Sequence, residues 1–348
     1  MLSLSEFPRV PIAHRPTPLE SMPNLTHLLE GPELFVKRDD CTGLATGGNK
    51  ARQMEFYMGE ALELGATTVL VTGAVQSNFV RSVAAAAAKL GLRCEVQLED
   101  RVPGMDEIYR TSGNVLLDRL FGARLHYYPV GEDEGGADHA LDELAERLRS
   151  EGERPYVIHL SEAYPPLGAL GYVDAAEELL GQLEAMGVQR ATIVVASGSA
   201  ATHAGLLVGL RALGHPEIGV KGICVRRGRE AQFARVLRVC RNTEKLLKSG
   251  HVVPEDDISV TDAFLGPGYG LVTEETTDAI LLGAREEALI LDPVYTGKAF
   301  AGFLDFVRRG EVGAEAAVFL HTGGIPALFA YSPEALGIIG SPTGANVE

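Results

Sequence analysis

The chain has 348 residues, 46% of them hydrophobic and 22% charged, and a formal net charge of −16. That length buries a large core in one large domain or two, and the balance is that of a soluble globular enzyme. So acidic a molecule attracts neither a nucleic-acid backbone nor an anionic membrane as a whole, although a pocket in it can be locally positive. Cys41, Cys94, Cys224 and Cys240 are widely spaced, with no CxxC and no nearby His pair. This is the pattern of reduced thiols in a cytosolic protein, and of neither a disulfide framework nor a zinc site. The opening MLSLSEFPRV interrupts any apolar core with acidic and proline residues, and no apolar run approaches ~20 residues. The expectation is a cytoplasmic protein with no signal peptide, no membrane span and no nucleic-acid partner.

The first strand-like run is Leu34–Lys37, and Gly47-Gly48-Asn49-Lys50 follows it at the start of a helix predicted over Ala51–Leu64. Two glycines permit positive φ and close backbone approach, and Asn49 is a competent helix cap. A lysine there lies beside the positive end of a helix dipole, which disfavours its protonated form and suits Schiff-base chemistry. Taken alone, the motif also fits a surface lysine after a glycine turn. The next strand, Thr68–Thr72, leads through Gln76-Ser77-Asn78 into a helix over Arg81–Leu90 with five consecutive alanines. Free amides at that helix start favour a carboxylate or phosphate, and Ser77 is placed to carry a proton or simply to cap the helix.

A strand over Cys94–Leu98, an exposed acidic loop over Gly131–Asp138, a helix over Ala140–Arg149 and a strand over Tyr156–Leu160 come next. After a helix over Ala169–Leu183, the strand Thr192–Ala196 runs into Ser197-Gly198-Ser199-Ala200-Ala201-Thr202 and the helix Gly205–Leu213. Small residues between a strand and a helix let backbone N–H groups converge on one phosphate. No GK[ST] follows, so this is not a Walker loop, and it is not the dinucleotide fingerprint either. Strands over Val220–Val225 and Ala317–Leu320 complete the alternation, which predicts parallel sheets covered on both faces, with ligands at the carboxyl ends of the strands. Tyr269 in GPGYG, Tyr295 in DPVYTGK and Thr322 before Gly323-Gly324 mark further loops where functional residues gather. His159, His203 and His321 lack metal-ligand spacing and read as structural. Ser341–Glu348 reads as a loose tail.

In combination these segments resemble the D-cysteine desulfhydrase and 1-aminocyclopropane-1-carboxylate deaminase family, which includes L-cysteate sulfo-lyase. The resemblance runs from Pro18 to Phe329 on VKRDDCTGLATGGNKAR, GAVQSNFVR, SGNVLLDRLFGA, PLGALGY, VVASGSAATHAGL, DPVYTGKAFAG and FLHTGGIPALFAY. It implies a fold type II (tryptophan synthase β-like) α/β enzyme dependent on pyridoxal 5'-phosphate. A smaller domain, 51–160, is then inserted between the halves of a larger one, 1–50 and 161–348, and the chain forms a homodimer. Lys50 would carry the cofactor as a Schiff base and shuttle the α-proton. Ser77, Asn78 and the amide of Phe79 would hold the substrate carboxylate, with Asn78 also near the cofactor. Ser199, Ala200, Ala201 and Thr202 would bind the cofactor phosphate. Tyr269 and Tyr295 would border the substrate, with Tyr295 on the pyridine ring and Thr322 on the ring nitrogen. A hydroxyl partner there makes the ring a moderate electron sink, sufficient for eliminating a good β-leaving group. The deaminase branch resembles a pattern with Glu and Leu where this chain has Thr296 and Thr322, which favours the desulfhydrase and sulfo-lyase side.

Four positions depart from the resemblance. Phe79 stands where His or Gln is usual, Ala200-Ala201 where Gly-Gly is usual, and Gln53 where a lysine is expected. Glu162-Ala163-Tyr164-Pro165 replaces a Gly-Gly-Ser-Asn that lies near the substrate, which brings Tyr164 to the substrate side. The expected reaction is β-elimination on a small sulfur-containing amino acid, D-cysteine or L-cysteate, giving pyruvate, ammonia and sulfide or sulfite. The departures leave open deamination or racemisation of another amino acid, or a cofactor-binding protein without catalysis.

Overall fold

The computed structural model describes residues 4–161, 164–250, 253–313, 315–333 and 335–338. The chain opens with β1 (Leu19–Ser21), α1 (Pro23–Leu29) and β2 (Glu33–Lys37), followed by α2 (Lys50–Glu63). Next come β3 (Thr68–Ala74), α3 (Asn78–Leu90), β4 (Arg93–Glu99), α4 (Glu107–Thr111) and α5 (Gly113–Leu120). β5 (Arg124–Tyr128), α6 (Glu134–Ser150), β6 (Pro155–Ile158) and α7 (Leu167–Ala185) lead on to β7 (Ala191–Ser197) and α8 (Ala201–Ala212). The last elements are β8 (Ile218–Cys224), α9 (Arg229–Leu247), β9 (Ser259–Thr261), α10 (Glu274–Glu287), α11 (Thr296–Arg308), β10 (Ala316–Leu320) and α12 (Ile325–Leu328).

Two sheets result. One has six strands in the order β1-β2-β10-β7-β8-β9, and the other four in the order β5-β4-β3-β6. Among the described residues, only β1 runs antiparallel to its neighbour, and every other pairing is parallel. The strands of the smaller sheet lie within 68–158, and those of the larger within 19–37 and 191–320. We propose the division 1–50 with 161–348 against 51–160 on that basis.

Helices cover both faces of each sheet, as runs such as TVLVTGA, buried at every position, require. Ile193 and Val195 of β7 pack towards α8 and α9 through Leu207 and Val236, whereas Val194 and Phe319 face Phe300 and Phe303 of α11. In the smaller sheet Val69 and Val71 meet Met54 of α2 and Val80 and Val83 of α3, while Leu70 meets Leu141 and Leu148 of α6. Full burial of a valine such as Val80 or Val83 contributes about 1.5–3 kcal/mol. The marked loops at Lys50, Ser77, Ser199 and Thr322 therefore lie past the carboxyl ends of parallel strands, whereas Tyr295 lies in the loop between α10 and α11.

One local expectation fails. Gly131–Asp138, read as a loop, contains the start of α6, because Asp133 caps it by accepting from the Gly136 amide at 2.9 Å. The Tyr128 hydroxyl steadies that cap by donating to Asp133 at 2.6 Å. Four free cysteines, three of them buried, form no disulfide. Among the described residues, no helix is long and apolar enough to cross a membrane, and no group of three or more His, Cys, Asp or Glu is placed to hold a metal ion. The segment Ser341–Glu348 lies outside the described residues.

Candidate active site

A cavity lies between the two sheets, at the carboxyl ends of their strands, where small-molecule sites of such folds gather. Its walls include Lys50, Ser77, Asn78, Phe79, Ser199, Ala200, Thr202, Tyr269, Tyr295 and Thr322. Ten residues singled out in the sequence are thus brought together. Arg101, Arg226 and Arg235 also line it, and sequence reasoning missed all three. The signal was positional: Arg101 and Arg226 each stand two residues past a strand end, after β4 and β8.

Lys50 opens α2. The turn before it requires glycine. Gly47 has φ 76°, and a Cβ on it would lie 1.8 Å from the Asp40 carbonyl oxygen. On the far side, a Cβ on Gly323 would lie 2.6 Å from the Gly48 Cα. Arg81, fully buried, holds this turn from α3 by donating to the carbonyls of Ala45 and Gly47. Desolvation alone lowers the Lys50 ammonium to about 8, with no acidic partner to raise it, and its Nζ lies 5.8 Å from the centre of the Phe79 ring. Asn49 does not cap α2 as expected. Its side chain instead donates to Thr202 Oγ1 at 2.8 Å. Gln53 donates to the same oxygen at 3.1 Å, so two neutral amides tie the Lys50 helix to the start of α8.

Ser77 does cap its helix, accepting from the Val80 amide at 3.2 Å, and it still borders the cavity. Asn78 is oriented by Asn114, which donates to its Oδ1 at 3.0 Å. Asn114 also accepts from Arg81 at 2.9 Å, so the SGNVLLDRLFGA segment braces both the lysine turn and the start of α3. Phe79 is held edge-on against Tyr57, ring centres 6.0 Å apart.

The Ser199–Thr202 turn leads into α8 without a side-chain cap. Its first amides have no intrahelical partner, which is how helix starts hold anions. Ala200 sits at φ 75°, the left-handed region that glycine occupies freely. Ala200→Gly is expected to raise folding stability by about 0.5–1 kcal/mol, after the entropic cost of glycine is subtracted. A thermal melt reads this directly, and an unchanged or lower midpoint would mean that the turn carries no strain.

The Tyr269 and Tyr295 hydroxyls hydrogen-bond each other at 2.7 Å, with rings edge-on at 5.8 Å. Burial raises both phenols above their ordinary value, so both are protonated at neutral pH. Two candidates fall elsewhere. Tyr164 stacks on His159 at 3.8 Å and borders a separate, smaller cavity, because the ring pairing turns it aside. Ala201 also faces that smaller cavity. Glu162 and Ala163 lie outside the described residues. Thr296 is fully buried and bonds the Asp292 amide and carboxylate at 2.7 Å each, away from the cavity. His321 is structural, accepting from the Gly323 amide at 3.2 Å. His203, also read as structural, does border the cavity, where burial pushes it down to about 4 and keeps it neutral.

Known proteins match this arrangement over nearly the whole chain. A solved structure described as an ACC deaminase homologue is 37% identical with a TM-score of 0.86, and the match covers 97% of this chain and 98% of that one. An O-ureido-L-serine synthase is 19% identical with a TM-score of 0.67, covering 97% and 96% of the two chains. A hydrogen-sulfide-producing enzyme from Fusobacterium nucleatum is 16% identical with a TM-score of 0.62, covering 91% and 97%. These two share the fold. Residues 10–323 match the model of the pyridoxal-phosphate-dependent enzymes, and with its two parallel sheets facing one lysine-bearing cavity, the chain belongs to that family, fold type II.

Proposed function

We propose that this protein is a β-eliminating lyase of a small sulfur-containing amino acid, D-cysteine or L-cysteate, with Lys50 as the cofactor-bearing residue. The observation that carries the reading is Lys50 itself: a desolvated amine without an acidic partner, in one cavity with the starts of α3 and α8. The cavity fits pyridoxal phosphate. The uncapped start of α8 suits the phosphate, with Ser199, Ala200, Ala201 and Thr202 around it. Thr322 would meet the ring nitrogen, and Tyr295 the ring face. When bound, the cofactor supplies an electron sink for charge developing at the substrate α-carbon.

The chain's own residues do the rest. The start of α3, with Ser77, Asn78 and the Phe79 amide, binds and orients the substrate carboxylate. Lys50 takes the α-proton at Nζ, and a double bond forms to the β-carbon as the leaving group departs with its electron pair. The paired phenols of Tyr269 and Tyr295, both protonated, are poised to donate a proton to that group. The unsaturated amine left behind takes up water to give pyruvate and ammonia. Deamination of another small amino acid is the second reading, favoured by the likeness to the ACC deaminase homologue. The Thr322 hydroxyl at the cavity argues against it.

The test is 2-oxo acid release by the cofactor-loaded protein from D-cysteine, L-cysteate, D-serine, β-chloroalanine and aminocyclopropane carboxylate. Pyruvate with sulfide or sulfite establishes the lyase. Release from aminocyclopropane carboxylate alone establishes the deaminase. Silence on all five overturns both.

Lys50 also predicts a pH dependence. Its amine attaches the cofactor only when neutral, and its pKa is lowered to about 8. Below that pH the rate of cofactor capture by the apo-protein is expected to fall about tenfold per unit, and above it to level off. The absorption band that grows on mixing reports it; a rate still climbing at pH 10 would place the amine in an ordinary, solvated setting.

A homodimer is likewise proposed. Leu116 and Leu120 of α5 and Phe329 beside α12 are exposed apolar side chains on neighbouring elements, and sedimentation of the purified protein tests whether a second copy covers them.

A further inference from the structure

The cavity is far more basic than the molecule around it. The chain carries −16 overall, yet among the described residues the cavity wall holds Lys50, Arg101, Arg226 and Arg235 and no carboxylate. The proposed reaction accounts for part of that charge. Lys50 and the α8 start serve the cofactor, and the α3 start serves the substrate carboxylate. Arg235 is occupied as a brace, donating from Nε to the Ser199 carbonyl at 3.2 Å and from Nη2 to the Leu160 carbonyl at 2.8 Å.

Arg101 and Arg226 both line the cavity, and neither has all its donors used. Arg101 bonds Glu99 through Nε and Nη2, at 2.8 and 2.7 Å, and its Nη1 has no partner among the described residues. Arg226 bonds Glu134 through Nη1 at 2.7 Å and Glu132 through Nη2 at 3.0 Å, and its buried Nε has no partner. Each side chain is only 9% exposed. A buried N–H without an acceptor is costly and rare in native proteins. The two come from different sheets and converge beside Tyr269, whose phenol feels both charges. The local carboxylates do not balance the cations: Glu134 is shared among Arg226, Arg227 and Arg235, and the Glu132 side chain is 65% exposed.

Two planar guanidinium groups lining one cavity beside two phenol hydroxyls suit an oxyanion. We propose that the amino-acid substrate carries a second anionic group, a sulfonate or carboxylate at the end of its side chain, held by Arg101 and Arg226 next to Tyr269. The proposal rests on the reading of this cavity as an amino-acid site, and it names Arg101 and Arg226 as specificity determinants.

Equilibrium binding tests it without requiring turnover. The cofactor-loaded protein is titrated calorimetrically with both enantiomers of cysteate, aspartate and alanine. At least one diacid is expected to bind about 100-fold tighter than alanine of the same hand, the scale set by one buried charge-assisted contact. Arg226→Gln and Arg101→Gln are each expected to remove at least about tenfold of that preference while changing alanine binding less than threefold. Cysteate tight and aspartate weak assigns a sulfonate; the reverse assigns a carboxylate. Equal binding of diacids and alanine by the wild type overturns the proposal whatever the variants do, and so does an equal loss for both ligand classes in the variants. Tight diacid binding with no 2-oxo acid from any substrate sinks the lyase reading and leaves this inference standing. Pyruvate from D-cysteine with no diacid preference does the opposite.

Discussion

Replacing Lys50 with alanine is expected to lower 2-oxo acid release at least about 10⁴-fold, with no loss of folding stability. The rate falls because one amine both attaches the cofactor and moves the α-proton, and among the described residues no other lysine lines the cavity. Stability holds because the ammonium has no acidic partner to lose and its burial lowers it to about 8. Removing an unpaired, desolvated charge is neutral or stabilising. Lys50→Arg keeps the charge but never offers a neutral amine, so it is expected to be equally inactive. Turnover by either variant within tenfold of the parent would end the assignment of Lys50.

The second large effect lies two residues further along α2. Arg52 is fully buried and fork-bonded on two sides, to Asp39 at 2.9 and 3.0 Å and to Glu178 at 3.0 and 2.7 Å. Tyr172 and Lys37 complete the cluster. It ties the start of α2 to the turn after β2 and to α7. Arg52→Ala leaves two carboxylates buried against each other and is expected to cost about 3–5 kcal/mol. The same cluster sets an acid limit. Burial works to raise Glu178, but the bonds and charges of Arg52 and Lys37 overcome it and hold the carboxyl at about 2. Its contribution is therefore fully present above the ordinary value of 4.5 and is lost as pH falls through about 2. That window corresponds to about 3 kcal/mol from this group. Urea unfolding at pH 7, 4.5 and 2.5 measures both effects. Parallel pH profiles for parent and Arg52→Ala would show that the cluster does not set the acid limit.

What was legible in the sequence follows from burial. Strands buried on both faces, such as β3 and β10, are runs of apolar, small and β-branched residues, and the sequence places them to within a few residues. The edge strand β5 is half-exposed and mixed in character, and β1 and β9 have three residues each, too short to show any period. The start of α6 was hidden because Gly135-Gly136 reads as a turn until the Asp133 cap is seen. Within the cavity, Lys50, Ser77, Ser199 and Thr322 were legible because each stands in a glycine- or serine-marked loop at a strand end. Arg101 and Arg226 were not, since an arginine carries no sign of whether its guanidinium faces water or a cleft. The placing of Tyr164 at a neighbouring cavity is hidden for the complementary reason: its stacking partner, His159, follows β6 and cannot be inferred from the local sequence.

The two walls of the cavity belong to different sheets, and the holding of the cofactor and of the substrate's carboxylate end divides along that line. Lys50, the Ser199–Thr202 turn and Thr322 all follow strands of the larger sheet, whereas Ser77, Asn78, Phe79 and Arg101 follow strands of the smaller one. On the proposed assignment, retention of the cofactor and recognition of the substrate's carboxylate end are physically separable traits. Substitutions past β3 and β4 can redirect the enzyme towards a new amino acid while the bound cofactor stays where it is. The fold is thereby open to divergence in specificity at a small cost in cofactor affinity.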